Sequence, residues 1–359
     1  MSIVNIGSIC KIIGGSTPST KNNNLWKKEI PFYSLADLLI NVASRYISIE
    51  NNKFIDEPAI LFSSTATIGN VCYVEEKCWF NDQIKAFISK DSNVLNTKYL
   101  YYWFLNNKHI IKSQANKGSV FSSIGIKELV NMKINLPSIE EQNAIISIIE
   151  PIEKSIKTIN LLQTKIGLFI EKTFNFINDN LVNSDLIEFS LKDLLNIKRG
   201  LPITVKDLLN NPGSYPLISA SSKNNGIFGY FNDYMYDGKN ITISMNGNAG
   251  CIFYQIGKFS ANSDVLVLSN SNKNLTNIDY IYYLLKTKEK EIQNLAIGTT
   301  RFRLGNSVIE KFKVLLPNIE IQEKFSKIVE PLLNLSTKAN KIEKNLNECL
   351  LKIVKKLIV

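Results

Sequence analysis

LPSIEEQNAIISIIEP (residues 136–151) and LPNIEIQEKFSKIVEP (residues 316–331) are two copies of one segment, offset by 180 residues, with Leu, Pro, Ile, Glu, Gln, Ile, Glu and Pro in register. Chance rarely produces such a match, and a repeat of this period decides the fold before any single motif does. At the same offset Gly118-Ser119 falls on Gly298-Thr299, Gly125 on Gly305, Lys133 on Lys313, and YLYYWFL (99–105) on DYIYYLL (279–285). With one residue of slip Ala66-Thr67-Ile68-Gly69 meets Gly247-Asn248-Ala249-Gly250, and Asn81 meets Asn262. A few more residues of slip bring Ile6, Ile9, Ile12 and Gly15 onto Leu191, Leu194, Ile197 and Gly200. The 359-residue chain therefore divides into a globular domain 1–137, a helix 138–182, a second globular domain 183–316 and a second helix 317–359.

The helical segments carry heptad seams. Ile145, Ile149, Ile152, Ile156, Ile159, Gln163, Ile166, Ile170, Thr173 and Ile177 step four and three without a break. Phe325, Val329, Leu332, Ser336, Ala339, Glu343, Leu346, Leu350, Ile353 and Leu357 do the same, 180 residues on. Spacing of this kind lines one side of a helix with apolar groups that need a partner. Two such seams in one chain are expected to pair with each other as antiparallel coiled-coil helices; self-association of two chains is the alternative. The Leu-Pro before each helix ends a strand, and the acidic residues after it suit a first helical turn. Pro151 and Pro331 fall within the seams and are expected to kink or restart each helix. From Glu153 to Ile177 the rod is about 37 Å long at 1.5 Å per residue, close to the ~34 Å of one DNA turn. Gln163 and Glu343 occupy equivalent seam positions, and a buried polar layer there would fix register and orientation; facing water is the alternative.

Formal net charge is +10, with +5 on residues 1–137, −2 on 138–182, +4 on 183–316 and +3 on 317–359. A basic surface attracts phosphate backbones and anionic membranes alike. No run approaches the ~18 apolar residues that would span a bilayer, and the N-terminus lacks a charged region followed by a long apolar one. The expected location is cytoplasmic. The five cysteines, Cys10, Cys72, Cys78, Cys251 and Cys349, form no Cys-x-x-Cys pair and read as reduced, part-buried thiols. His109, the single histidine, excludes a histidine-rich zinc site, and its neighbours Lys108, Ile110 and Ile111 suggest a helix surface rather than a catalytic triad.

Within the globular parts, AILFSSTATIGNVCYV (59–74), KNITISMNGNAGCIFYQI (239–256) and FSANSDVLVLS (259–269) set β-branched and aromatic residues between Gly and Asn punctuation, as strands and turns require. Residues 97–112 and 279–291 read as helices, and Tyr101, Tyr102, Trp103, Tyr282 and Tyr283, at helical spacing, read as core rather than as base-stacking groups. The fold class is α+β: two similar mixed α/β domains related by a pseudo-twofold internal repeat and separated by a pair of long helices.

At these motifs a family resemblance enters. GGSTPSTKNNNLW (14–26) followed by IPFYSLADL (30–38) is similar to the opening Gly-Gly-x-Pro, Trp and Ile-Pro segment of type I restriction–modification specificity (S) subunits. LISASSKNNGIFGY (217–230) resembles the opening of many of their second domains, and ATIGNV (66–71), FNDQIKAF (80–87) and the paired LPxIExQ helix starts complete the set. Two residues rather than one separate Gly15 from Pro18, and the seam prolines are not required by the family pattern. The resemblance spans essentially the whole chain. It implies two target-recognition domains, each reading one part of a split sequence in double-stranded DNA, with the helices setting the gap. It also implies docking of two methyltransferase (M) subunits, joined in the full complex by restriction (R) subunits. S-adenosylmethionine, ATP and Mg would then belong to those partners, with no cofactor, metal or catalytic residue on this chain.

Because recognition domains in the family diverge freely, base contacts are sought from chemistry instead. Arg suits guanine, Asn or Gln adenine, Ser or Thr either, and Lys the phosphates. The candidate loops are 16–28, with Thr17, Ser19, Thr20, Lys21, Asn22, Asn23, Asn24 and Lys27; 117–123, with Lys117, Ser119 and Ser122; 219–225, with Ser219, Ser221, Ser222, Lys223, Asn224 and Asn225; and 298–303, with Thr299, Thr300, Arg301 and Arg303. The two arginines stand out because arginine is scarce here and they follow a Gly-Thr-Thr turn. For any one of these residues the plain alternative is a solvated polar loop.

Two other functions compete. A self-contained methyltransferase or nuclease needs a catalytic constellation, and the chain shows no Asn/Asp-Pro-Pro-aromatic motif, no glycine-rich cofactor loop after a strand and no phosphate loop; Asp56-Glu57 sits before Pro58 without a supporting partner. A coiled-coil scaffold that binds proteins but not DNA would scatter its basic residues evenly, whereas a DNA reader gathers them.

Overall fold

The computed structural model describes residues 2–51, 53–113, 116–117, 122–182 and 185–358. Two compact units are present, residues 1–160 with 341–359, and residues 161–340. The long helices Ile139–Asp179 and Ile319–Leu357 each contribute one part to either unit.

In the first unit a four-stranded antiparallel sheet runs in the order Cys10–Gly14, Ile84–Ser89, Ala59–Ser63, Val71–Val74. All five residues of Ala59–Ser63 are buried, which is why that strand reads as a continuous apolar run instead of an alternating one. A smaller sheet joins Arg45–Ile47, Ile30–Tyr33 and Trp79–Phe80, the last pair parallel. Phe62, Phe87 and Phe104 pack edge-on and tilted at 4.9–5.7 Å between the larger sheet and the helix Thr97–Asn106.

The second unit repeats this plan. Its four-stranded sheet runs Leu195–Arg199, Val265–Asn270, Lys239–Ser244, Ile252–Ile256, and its smaller sheet runs Ile227–Phe231, Pro212–Ile218, Ser260–Ala261, again with one parallel pair. In both units an entry strand pairs with the strand before the long helix: Ser2–Asn5 with Lys133–Leu136, and Ile187–Ser190 with Lys313–Leu316. Pro137 and Pro317 end those strands, as their lack of a donor dictates. The expected helices at 97–112 and 279–291 are each broken in two, at Asn107 and Lys288. Asn107 explains its own break, since its amide turns back to donate to the Trp103 carbonyl (3.0 Å).

The repeated glutamine of the opening motif is a latch. Gln142, fully buried, donates to the carbonyls of Val94 (2.9 Å) and Pro137 (3.0 Å) and accepts from the Asn96 amide (2.9 Å). Gln322 does the same with Leu275 (3.1 Å), Pro317 (2.9 Å) and Asn277 (2.9 Å). Asn96 and Asn277 in turn cap the helices that follow them, so one side chain ties each long helix to its sheet-covering helix.

Every residue of the two heptad seams is buried or half-buried, which fits paired helices. In the first unit Ile145, Ile146 and Ile149 share a core with Leu350, Ile353, Val354 and Ile358, while Asn160, its amide nitrogen facing Glu343, lies 3.0 and 3.2 Å from the two carboxylate oxygens. The order inverts along the two segments, so they run antiparallel there. In the second unit Phe174 packs on Phe325 with ring centroids 5.3 Å apart. Gln163 and Glu343 are both half-buried. Pro151 and Pro331 do not restart the helices: both lie exposed within continuous helices of 41 and 39 residues. A proline ring directed to solvent forfeits one backbone bond, and the packed seam on the other side carries the helix through.

Gly167 sits exposed inside the first long helix with open space around the position a Cβ would take. Gly167→Ala is expected to raise the stability of the second unit by roughly 0.5–1 kcal/mol, read as a small upward shift in thermal unfolding; a fall would mean that this position packs against something bulky.

Candidate nucleic-acid interface

The two units build their loop clusters on the same backbone links. In the first, Ser64 donates to the Gln83 carbonyl (2.9 Å), Ile124 to the Ser64 carbonyl (2.9 Å) and Gly15 to the Ile84 carbonyl (3.2 Å), and Thr65 bridges Ser123. In the second, Met245 donates to Asp264 (2.7 Å), Leu304 to Met245 (2.8 Å) and Gly200 to Val265 (3.0 Å), and Asn246 bridges Arg303. These are equivalent positions of the repeat. The frame is held constant, while the residues at its tips differ.

Side chains close the second cluster. Asn248 donates to the Ala220 carbonyl (3.3 Å), Asn262 to the Ser219 hydroxyl (2.9 Å) and Asn246 to the Asp264 carboxylate (2.6 Å), and the Gly247 amide donates to Phe302 (3.1 Å). The turn at 246–248 thus joins the candidate loops 219–225 and 298–303, which are 73 residues apart at their nearest ends. Gly247 has φ +65°, a conformation glycine adopts without strain. Asn225, at φ +52°, uses its amide on the Tyr254 carbonyl (3.0 Å), and Ser221 accepts from the Lys223 amide (3.2 Å), so both also hold the loop. Ser222, Lys223, Asn224, Thr299, Thr300, Arg301 and Arg303 are exposed.

In the first unit Thr17 donates to the Asp82 carboxylate (3.3 Å), and the Trp79 indole to the Ser16 carbonyl (2.8 Å), which joins the start of loop 16–28 to the cluster. The rest of that loop organises itself. Asn22 accepts from the Asn24 amide (3.1 Å), the Trp26 indole donates to Ser19 (3.1 Å), Arg45 lies over the Trp26 ring at 5.6 Å, and Lys27 pairs with Glu50 at 3.6 Å. Ser19, Thr20, Lys21, Asn23 and Asn24 are exposed. Lys117 and Ser122 stand on the paired strands Asn116–Lys117 and Ser122–Ser123; Ser119 lies outside the described residues.

Thr65, Asp82, Asn246, Asn248 and Asn262 were not among the candidate contacts chosen from the sequence. The available signal was the alignment of 66–69 with 247–250 and of Asn81 with Asn262, which marks turns recurring at the same place in both repeats.

His109 is exposed on the helix Lys108–Ser113. Cys10, Cys72 and Cys78 are buried; burial pushes the first and last thiols up to about 12 and raises the second as well, so none is a ready nucleophile. Cys349, by contrast with the expectation of part-buried thiols, is exposed. Tyr102 and Trp103 are core, while Tyr101, Tyr282 and Tyr283 are half-buried. Asp56 pairs with Lys77 at 3.0 Å. Among the described residues no cluster of His, Cys, Asp or Glu could hold a metal, and no helix is long and apolar enough to cross a membrane.

Comparison with known proteins agrees with this architecture. The profile of the type I restriction modification DNA specificity domain matches residues 1–167 and again 183–348. The specificity subunit of the type I restriction enzyme MpnII of Mycoplasma pneumoniae is 36% identical over 171 residues, which cover 44% of this chain and 51% of that subunit. The specificity subunit of the type I restriction enzyme MjaIX of Methanocaldococcus jannaschii is 25% identical over 372 residues, covering 91% of this chain and 85% of that one. The crystal structure of the S subunit of a type I restriction-modification system from M. genitalium shares the fold with a TM-score of 0.74 at 18% identity, over 100% of this chain and 96% of that one. With both repeats matched by one domain profile, the chain belongs to the type I restriction–modification specificity subunits, the non-catalytic members of these systems.

Proposed function

We propose that the chain reads a bipartite sequence in double-stranded DNA, one half through each loop cluster, and docks the methyltransferase subunits that act on it. The observation that carries this reading is the constant frame with variable tips. A reader of two different half-sites needs one rigid scaffold used twice and two sets of donors and acceptors, and Thr65 with Ser123 against Asn246 with Arg303 is such an exchange. Segments 1–137 and 183–316 are the reading modules, with Thr17, the exposed residues of loops 16–28, 219–225 and 298–303, and Lys117, Ser119 and Ser122 as contacts to bases and phosphates. The long helices set the length of the unread gap.

S-adenosylmethionine binds the methyltransferase partners, ATP and Mg the restriction partners, and the complex works in the cytoplasm. The scaffold reading is disfavoured by the gathering of Arg199, Arg301 and Arg303 around one loop cluster of the second unit. Co-expression with the cognate methyltransferase subunit in a methylation-free host, followed by mapping of modified adenines, is expected to give a split motif. Exchanging residues 1–137 for those of another family member should change one half and leave the other. A single continuous motif would refute the two-reader scheme. Binding should also fall steeply with salt, by about one decade or more for a fourfold rise if several phosphates are contacted; a flat salt profile counts against DNA reading.

A further inference from the structure

We infer that Arg301 and Arg303 read guanine, so that the half-site assigned to the second unit contains at least one G·C pair recognised by arginine; this rests on the DNA-reading function proposed above. The chain has four arginines, Arg45, Arg199, Arg301 and Arg303. Three of them border the loop cluster of the second unit, and the structure separates them by what their guanidinium groups do. Arg199 is spent on the frame: its Nε donates to the Ser263 carbonyl. Arg301 and Arg303 are exposed, and among the described residues neither side chain has a hydrogen-bond or ion-pair partner.

The backbone of Arg303, by contrast, is held on both sides, and Arg301 stands two residues before it. Arg303 and Ile297 exchange amide–carbonyl bonds of 2.9 and 2.8 Å, Arg303 bridges Asn246, and Phe302 and Leu304 are bonded to Gly247 and Met245 at 3.1 and 2.8 Å. The Asp264 carboxylate beside this frame already accepts from Asn246. Rigid backbone under free guanidinium groups is what base reading needs, because a five-donor planar fork offered from a fixed point matches the N7 and O6 acceptors of guanine bidentately.

The first unit lacks this device. Ser123 stands at the position of Arg303, no arginine lies between 116 and 123, and Arg45 sits over the Trp26 ring. The arginine-read guanine therefore belongs to one half of the target only.

The test uses the full chain with its methyltransferase subunit, duplexes carrying the mapped motif, and the variants Arg301→Ala and Arg303→Ala, with melting curves to confirm folding. At least one variant is expected to lose about 5- to 150-fold in affinity for the motif while keeping its affinity for unrelated DNA. Methylation should then relax at one position, in the half that is unchanged when residues 1–137 are exchanged. Replacing that guanine by 7-deazaguanine, which removes the N7 acceptor but keeps the base pair, should cost the unaltered protein a comparable factor and cost the variant little more. Equal loss on all sequences with a shallower salt slope would make both arginines phosphate contacts and overturn the assignment. So would a second half-site without any G·C pair. Failure of the unaltered protein to prefer its motif would instead overturn DNA reading itself.

Discussion

Gln142→Ala is expected to lower the melting temperature of the first unit by about 10 °C, and Gln322→Ala that of the second by a similar amount. Each substitution strips three hydrogen bonds from a fully buried site. Two carbonyls and one amide are then left without partners, at about 1–3 kcal/mol for each that stays dry. Partial filling by water brings the total to about 4 kcal/mol, and a unit of this size loses roughly 2–4 °C per kcal/mol. Under the proposed function recognition should weaken as well, since the latch joins the long helix to the helix that covers the four-stranded sheet. Calorimetry on each single variant and the double variant decides the matter. The two losses should add, because the sites share no partner; a fall of under 3 °C would show that the latch is dispensable.

The second large effect falls on Gly15 and Gly200, the glycines that follow the strands Cys10–Gly14 and Leu195–Arg199. A Cβ at Gly200 would stand 2.3 Å from the Asn262 carbonyl oxygen and 2.4 Å from that of Ala261; at Gly15 it would stand 2.0 Å from the Asn81 carbonyl. The obstacles are backbone. Gly200 itself is pinned by its bond to Val265, and Leu201 by its bond to Ala261 (3.0 Å each), so retreat would break the frame. Gly200→Ala should cost about 3 kcal/mol or more and abolish recognition of one half-site. Gly247→Ala, with open space around its Cβ but φ +65°, should cost about 1–2 kcal/mol. If Gly200→Ala melted no lower than Gly247→Ala, the close approach of these strands would be refuted. Methylation mapping on the same variants reads whether the surviving half-site is still recognised.

Much of this molecule was legible in the sequence, and some of it was not, for reasons visible residue by residue. The heptad seams were legible because burial on a helix follows its own period: Ile149, Ile170, Phe325 and Val329 lie where the count placed them. The continuity of both helices through Pro151 and Pro331 was not, because a missing donor is a local cost and the packing that outweighs it is not local. Gln142 was visible only as a repeated letter, for its partner Asn96 lies 46 residues upstream. The candidate loops were found by composition, yet composition could not say that Asn225 and Ser221 are engaged in holding their own loop while Arg301 and Arg303 stay free.

Helix periodicity and strand-ending prolines are properties of neighbours along the chain, and duplication is a match of the chain with itself, so the sequence by itself determined all three. Which loops meet, which amides are consumed in the frame and which donors remain for a ligand depend on pairs such as Asn248 with Ala220, Asn262 with Ser219 and Arg199 with Ser263, separated by 28, 43 and 64 residues. Hydrogen bonds act over about 3 Å of space whatever the distance along the chain, so only the tertiary structure could decide them.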